Sequence, residues 1–95
     1  MLELLKTNTG EIKAVCEWYL VDSLGHFDTQ GKYVWIEQLE FSSSINGDGI
    51  GLIKEFIKRI CALVPQAQFG YFRREKYKGR VKLYTRHKWL KFANE

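Results

Sequence analysis

A chain of 95 residues with 45% hydrophobic and 15% aromatic content has the length of one domain and is too apolar to stay unfolded throughout. Its formal charge of +4 hides a division: residues 1–72 carry six Lys/Arg against nine Asp/Glu, while residues 73–95 carry nine against two. No run approaches the ~18 apolar residues of a membrane span, and Met1-Leu-Glu-Leu-Leu-Lys6 lacks the layout of a signal peptide, so the expectation is a cytoplasmic protein without membrane attachment.

Leu2 to Lys6 reads as a short strand or a helical stub. Asn8-Thr9-Gly10 is a hairpin-type turn signal. Glu11 to Val21 carries Ile12, Val15, Trp18, Tyr19 and Val21, a β-branched and aromatic content that favours a strand, although Ile12, Val15, Cys16 and Tyr19 also fit a helical face. Strand is the reading that makes a meander with the next strand. Asp22 to Gly31 is a loop with two glycines. Tyr33 to Phe41 is the clearest strand; its apolar residues fall on both parities, as in a strand covered on both faces.

Ser42 to Gly51 reads as a loop. The run from Leu52 to Val64 has helical periodicity, with Leu52, Ile53, Phe56, Ile57, Ile60, Leu63 and Val64 on one stripe, and Pro65 ends it. Ala67 to Arg74 alternates as a strand. Tyr77 to Arg80 reads as a turn and Val81 to Arg86 as a further strand. His87 to Phe92 closes the chain, and Ala93 to Glu95 should fray. The strand–helix–strand unit from Tyr33 to Arg74 predicts two parallel neighbours. The fold expected is α+β, one domain over 1–95, with a mixed, mostly antiparallel sheet and one main helix.

The junction between the Tyr33–Phe41 strand and the helix is the most informative segment. Asn46-Gly-Asp-Gly-Ile-Gly51 leads into a helix whose first N–H groups and dipole favour an anion. It is not a P-loop, since no Gly-Lys-Ser/Thr occurs, and it lacks the third glycine of the dinucleotide fingerprint. A plain turn is the alternative, because Asn-Gly-Asp-Gly is good turn chemistry. The spacing also resembles Gln/Arg-x-x-Gly-x-Gly/Ala, the coenzyme A pyrophosphate loop of the GNAT N-acetyltransferase superfamily, with Asn46 in the Gln/Arg place. Upstream, Leu39-Glu-Phe41 stands where that family has a Leu-x-Val strand end. The resemblance covers about Glu11 to Arg74 and is specific at Leu39 to Gly51.

That resemblance implies an acyl-CoA N-acyltransferase fold, acetyl-CoA as bound substrate and an amine as acceptor. It implies that the main chain of Leu39 and Phe41 positions the thioester, and that Asn46, Gly47, Asp48, Gly49, Ile50 and Gly51 hold the pyrophosphate. A carboxylate on the strand often serves as base; Glu37 and Glu40 are the candidates, expected on opposite faces by strand alternation, with Glu37 sharing a face with Leu39 and Phe41. A family tyrosine near the thiolate has no secure counterpart, and Tyr77 and Tyr84 are the candidates. The chain departs from the family in lacking the helices that help form the acceptor pocket, and in running into a basic hairpin at 73–91. It resembles a minimal or truncated member.

Two other readings stand beside this one. Nine cations interleaved with Tyr77, Tyr84 and Trp89 could contact nucleic acid, through Arg80, Lys82 and Arg86. Lys82, Tyr84 and Arg86 would then share one strand face. Alternatively, the chain is a catalytically empty GNAT-like binding module that could pair as a homodimer, to which its three tryptophans would be suited. Cys16 and Cys61 read as buried free thiols, and neither they nor His26 and His87 have metal-ligand spacing.

Overall fold

The computed structural model describes residues 1–42, 49–74 and 80–95. Among these residues, five strands form one sheet whose spatial order is the chain order: β1 (Leu2–Lys6), β2 (Ile12–Val21), β3 (Tyr33–Phe41), β4 (Phe69–Arg74) and β5 (Arg80–Thr85). A helix, α1 (Gly49–Leu63), connects β3 to β4, and a second, α2 (Arg86–Ala93), follows β5. Strands β3 and β4 are parallel, and the other three pairs are antiparallel. This is the mixed, mostly antiparallel α+β sheet that the sequence predicts.

Local chemistry explains the first connections. Gly10 adopts φ 89° in the β1–β2 turn, which glycine reaches without a Cβ penalty. The Thr7 carbonyl accepts from its N–H at 3.0 Å. In the β2–β3 connection, the Asp22 carboxylate accepts from the backbone N–H groups of Leu24 at 2.8 Å and His26 at 3.0 Å. Backbone hydrogen bonds, led by the one from His26, hold its carboxyl below the ordinary aspartate range.

Burial divides the sheet into two unlike faces. Ala14, Cys16 and Trp18 of β2 and Val34 and Ile36 of β3 are buried against Leu52, Phe56, Ile57, Ile60 and Cys61 of α1 and Trp89 and Ala93 of α2. Both cysteines are buried free thiols. Trp18 is fully buried, and its indole N–H has no acceptor among the described residues. Both described helices pack on this one face, which leaves the other open.

Several boundaries differ from expectation: β4 starts at Phe69 rather than Ala67, Arg80 belongs to β5 rather than to a turn, and Ala93, expected to fray, is buried at the end of α2. α1 begins at Gly49, three residues before Leu52, so Gly49, Ile50 and Gly51 belong to its first turn. The segment after β5 is a helix: β5 stops at Thr85, whose hydroxyl caps α2 by accepting from the Lys88 N–H at 3.2 Å. Arg86 is therefore the first helical residue and not the last of a strand. Only Trp89 and Ala93 of α2 are buried, an i, i+4 pair too sparse to show as periodicity in an eight-residue segment.

Candidate functional site at the parting of β3 and β4

The parallel ladder runs from Tyr33 opposite Phe69 to Ile36 opposite Phe72 and ends there, although β3 continues to Phe41 and β4 to Arg74. At the same point the β2–β3 register slips. Glu17 faces Gln38 and Trp18 faces Ile36, which leaves Glu37 as an extra residue. A bulge of this kind bends the strand and re-aims its side chains.

The bulge overturns the predicted placement of the two glutamates. Leu39 pairs with Cys16 on the helix-covered face, and Glu40 pairs with Val15 on the open face. Glu37 accepts a hydrogen bond from the Trp35 indole, and Glu40 accepts one from the Gln38 amide. Both carboxylates therefore lie on the open face, and Glu37 does not share a face with Leu39 and Phe41. Simple alternation fails because one residue is inserted between them.

On the helix side, the parting strands roof an apolar cavity of about 380 Å³. Ile36 and Leu39 of β3 and Phe72 of β4 line one wall. Ile50, Ile53, Ile57 and Ile60 of α1 line another, and Trp89 and Phe92 of α2 close it. Tyr84, Lys88 and Cys16 supply the few polar atoms. Tyr84 thus meets Leu39 at one cavity, on the face away from Glu37 and Glu40. The first turn of α1 reaches this cavity through Ile50. Asn46, Gly47 and Asp48 lie outside the described residues, as does Tyr77. Phe41 is exposed at 39%, on the same face as Ala14.

Burial, aided by the nearby Glu3 carboxylate, pushes the Cys16 thiol up to about 12. Burial also raises Cys61. Cys16 is thus a protonated wall of the cavity at neutral pH. Its unfolded counterpart ionises near 9, so between about pH 9 and 12 the native state holds a proton that the unfolded chain has lost. Stability should fall through that window, by at most about 1.4 kcal/mol per pH unit from this group. Urea unfolding at successive pH values checks this: Cys16→Ala should show a shallower alkaline decline than the parent, and equal slopes would contradict it.

The basic segment is not a uniform surface. The Arg86 guanidinium donates to the carbonyls of Cys61 at 2.9 Å, Ala67 at 3.0 Å and Val64 at 3.1 Å. It lies at the C-terminal end of α1, away from the position expected on one strand face with Lys82 and Tyr84. Lys82 is exposed, and Arg80 opens β5. Among the described residues, no group of three or more His, Cys, Asp or Glu side chains could hold a metal, and no helix is long and apolar enough to cross a membrane.

On the open face, sequence reasoning missed a second cavity, about 600 Å³, formed by Glu17, Tyr19, Val21, Leu24, Gly25, Phe27, Trp35 and Glu37. The strands β2 and β3 supply five of these residues, but the β2–β3 loop that completes the wall carries no pattern that reveals its return. Comparisons with protein-family models, curated proteins and solved structures found no match for the chain.

Proposed function

We propose that this protein binds acetyl-coenzyme A where β3 and β4 part and transfers the acetyl group to an amine. The observation that carries the reading is the coincidence of three features: the parallel ladder ends at the Glu37 bulge, the ladder's end roofs an apolar cavity, and the first turn of α1 borders that cavity. The thioester arm would run over the apolar wall at Ile36, Leu39 and Phe72. Backbone groups freed from the ladder beyond Ile36 would orient its carbonyl. The pyrophosphate would meet the N–H groups of Gly49, Ile50 and Gly51, where the helix dipole favours negative charge. Asn46, Gly47 and Asp48 complete that contact in the sequence resemblance.

In the transfer, the amine nitrogen attacks the thioester carbonyl carbon. A C–N bond forms, the C–S bond breaks, the amine proton passes to water and the coenzyme leaves as thiolate to be protonated. Tyr84, which lines the cavity, would supply that last proton, while Glu37 and Glu40 lie on the opposite face of the sheet.

Gly49→Glu tests the coenzyme site with little risk to the fold. A Cβ at Gly49 meets nothing within 4 Å, and a carboxylate in the first helical turn suits the dipole. Calorimetric titration with acetyl-coenzyme A should give saturable 1:1 binding in the parent, weakened at least about tenfold in the variant by like-charge repulsion with the pyrophosphate. No heat with the coenzyme, together with salt-sensitive binding to a short DNA duplex, would replace this reading with nucleic-acid recognition through the basic segment.

A further inference from the structure

Acetyl is a small cargo for the cavity beneath the parting strands. One methyl group leaves most of its volume of about 380 Å³ unfilled, and the lining limits what else can enter. The deep end is hydrocarbon: Phe56, Ile57 and Ile60 of α1 and Trp89 of α2 are all buried. Cys16 lies with them and keeps its proton at neutral pH, so the floor carries no charge. The amides of a pantetheine arm need hydrogen-bond partners once they leave water. Among the lining side chains, only those of Tyr84, Cys16 and Lys88 bear polar atoms. An amide-bearing arm therefore suits the strand side, where β3 has left its ladder, and not the isoleucine side. Dry apolar cavities take apolar guests: one of about 150 Å³ holds benzene, and by that proportion this one holds a chain of roughly eight to twelve carbons.

We infer that this cavity binds a linear aliphatic chain of that length, with its acyl head group, carboxylate or thioester, at the mouth. Ile50 and Phe92, exposed at 64% and 37%, mark the mouth, and the exposed Lys88 lines it with them. Lys88 makes no ion pair with a described residue, and the Lys54 ammonium stands 5.2 Å over the Phe92 ring. No Asp or Glu is among the described lining residues. A carboxylate at the mouth thus meets cations and no like charge, while the tail passes Ile53 toward Ile57 and Ile60. A free fatty carboxylate and a fatty acyl thioester share this chemistry. In its thioester form the inference rests on the transferase reading above and lengthens the transferred group; the chain site itself does not depend on that reading.

Ile36, Ile50, Ile53, Ile57 and Ile60 line the cavity while Ile12 opens β2 outside it, so isoleucine-methyl NMR spectra of the full chain report on the site. Titration with decanoate should shift the methyls of Ile53, Ile57 and Ile60 and leave Ile12 in place. Calorimetry across butanoate, hexanoate, octanoate and decanoate should show affinity rising about fourfold per methylene, the ~0.8 kcal/mol of a buried CH₂. Absent binding, silent cavity isoleucines, or affinity independent of chain length would overturn the chain site. Lys88→Met should weaken decanoate about threefold and leave 1-decanol unchanged; equal effects on both ligands, or none on decanoate, would overturn the head-group placement. Decanoyl-coenzyme A separates the two sources. Binding at least about tenfold tighter than acetyl-coenzyme A, with displacement of decanoate, assigns the acyl thioester. Decanoate binding with no affinity for either thioester assigns the free carboxylate and overturns the transferase reading. Equal affinity for both thioesters, without decanoate binding, would overturn the chain site and leave the transferase reading intact.

Discussion

Replacing Arg86 with methionine should lower the free energy of unfolding by about 3 kcal/mol, the scale of losing a charged donor shared among backbone carbonyls. Three carbonyls at or just beyond the end of α1 accept from this one guanidinium, and α1 has no basic residue of its own in its last turn. Arg86 therefore supplies from the start of α2 the positive charge that the C-terminus of α1 needs. Its fork bonds the end of the helix and the approach to β4 at once, joining two connections that are remote in sequence. Lysine at this position keeps the charge but has no fork, so Arg86→Lys should recover only part of the loss. Urea midpoints of the three proteins decide the matter. A loss under about 0.5 kcal/mol in Arg86→Met, the level of an ordinary surface change, would show that water serves these carbonyls equally well.

Gly70→Ala is expected to cost about 3 kcal/mol, at the upper end of what overpacking does in a closed core. Gly70 sits in β4 against the Trp89 indole, and a Cβ built on it would fall 2.0 Å from Cζ2 and 2.1 Å from Cη2 of that ring. Trp89 is buried in α2, so the clash must be met by a shift of the indole or of α2 itself. The same movement would disturb Tyr84, Lys88 and Phe92 along the cavity, so acetyl-coenzyme A affinity should fall together with stability. A double-mutant cycle with Trp89→Leu isolates the contact. The two changes should be strongly non-additive, because removing the indole relieves the clash. Simple additivity of the unfolding free energies would refute this account of the loss.

The central strand, the long helix and their parallel partner are legible in the sequence because each carries a strong local signal. Tyr33 to Phe41 is continuously apolar over its first four residues, α1 keeps a helical stripe, and Pro65 punctuates its end. The features that stayed hidden depend on pairing between distant segments. The Glu37 bulge arises from how β3 lies on β2, and no residue type marks it. It reverses the face of everything after it, which is why alternation misplaced Glu37 relative to Leu39. Arg86 looks like one more cation in a basic run until the fold brings three carbonyls to it. α2 is held by one tryptophan, one alanine and a threonine cap, a signal too short to compete with the strand-like alternation just before it. The glycine loop is visible by composition, yet only the helix start at Gly49 lies among the described residues.

The spatial order of the sheet, identical to the order of synthesis, has a consequence for how the molecule is put together. No strand has to be threaded between two that are already joined; each finds its place at the growing margin left by its predecessor. Assembly can follow translation without undoing any ladder, and the one wide step, from β3 to β4, is spanned by the helix that comes next off the ribosome. α2 is then a latch: Arg86 and Trp89 arrive after the sheet is laid and fasten the end of that helix and the strand beside it.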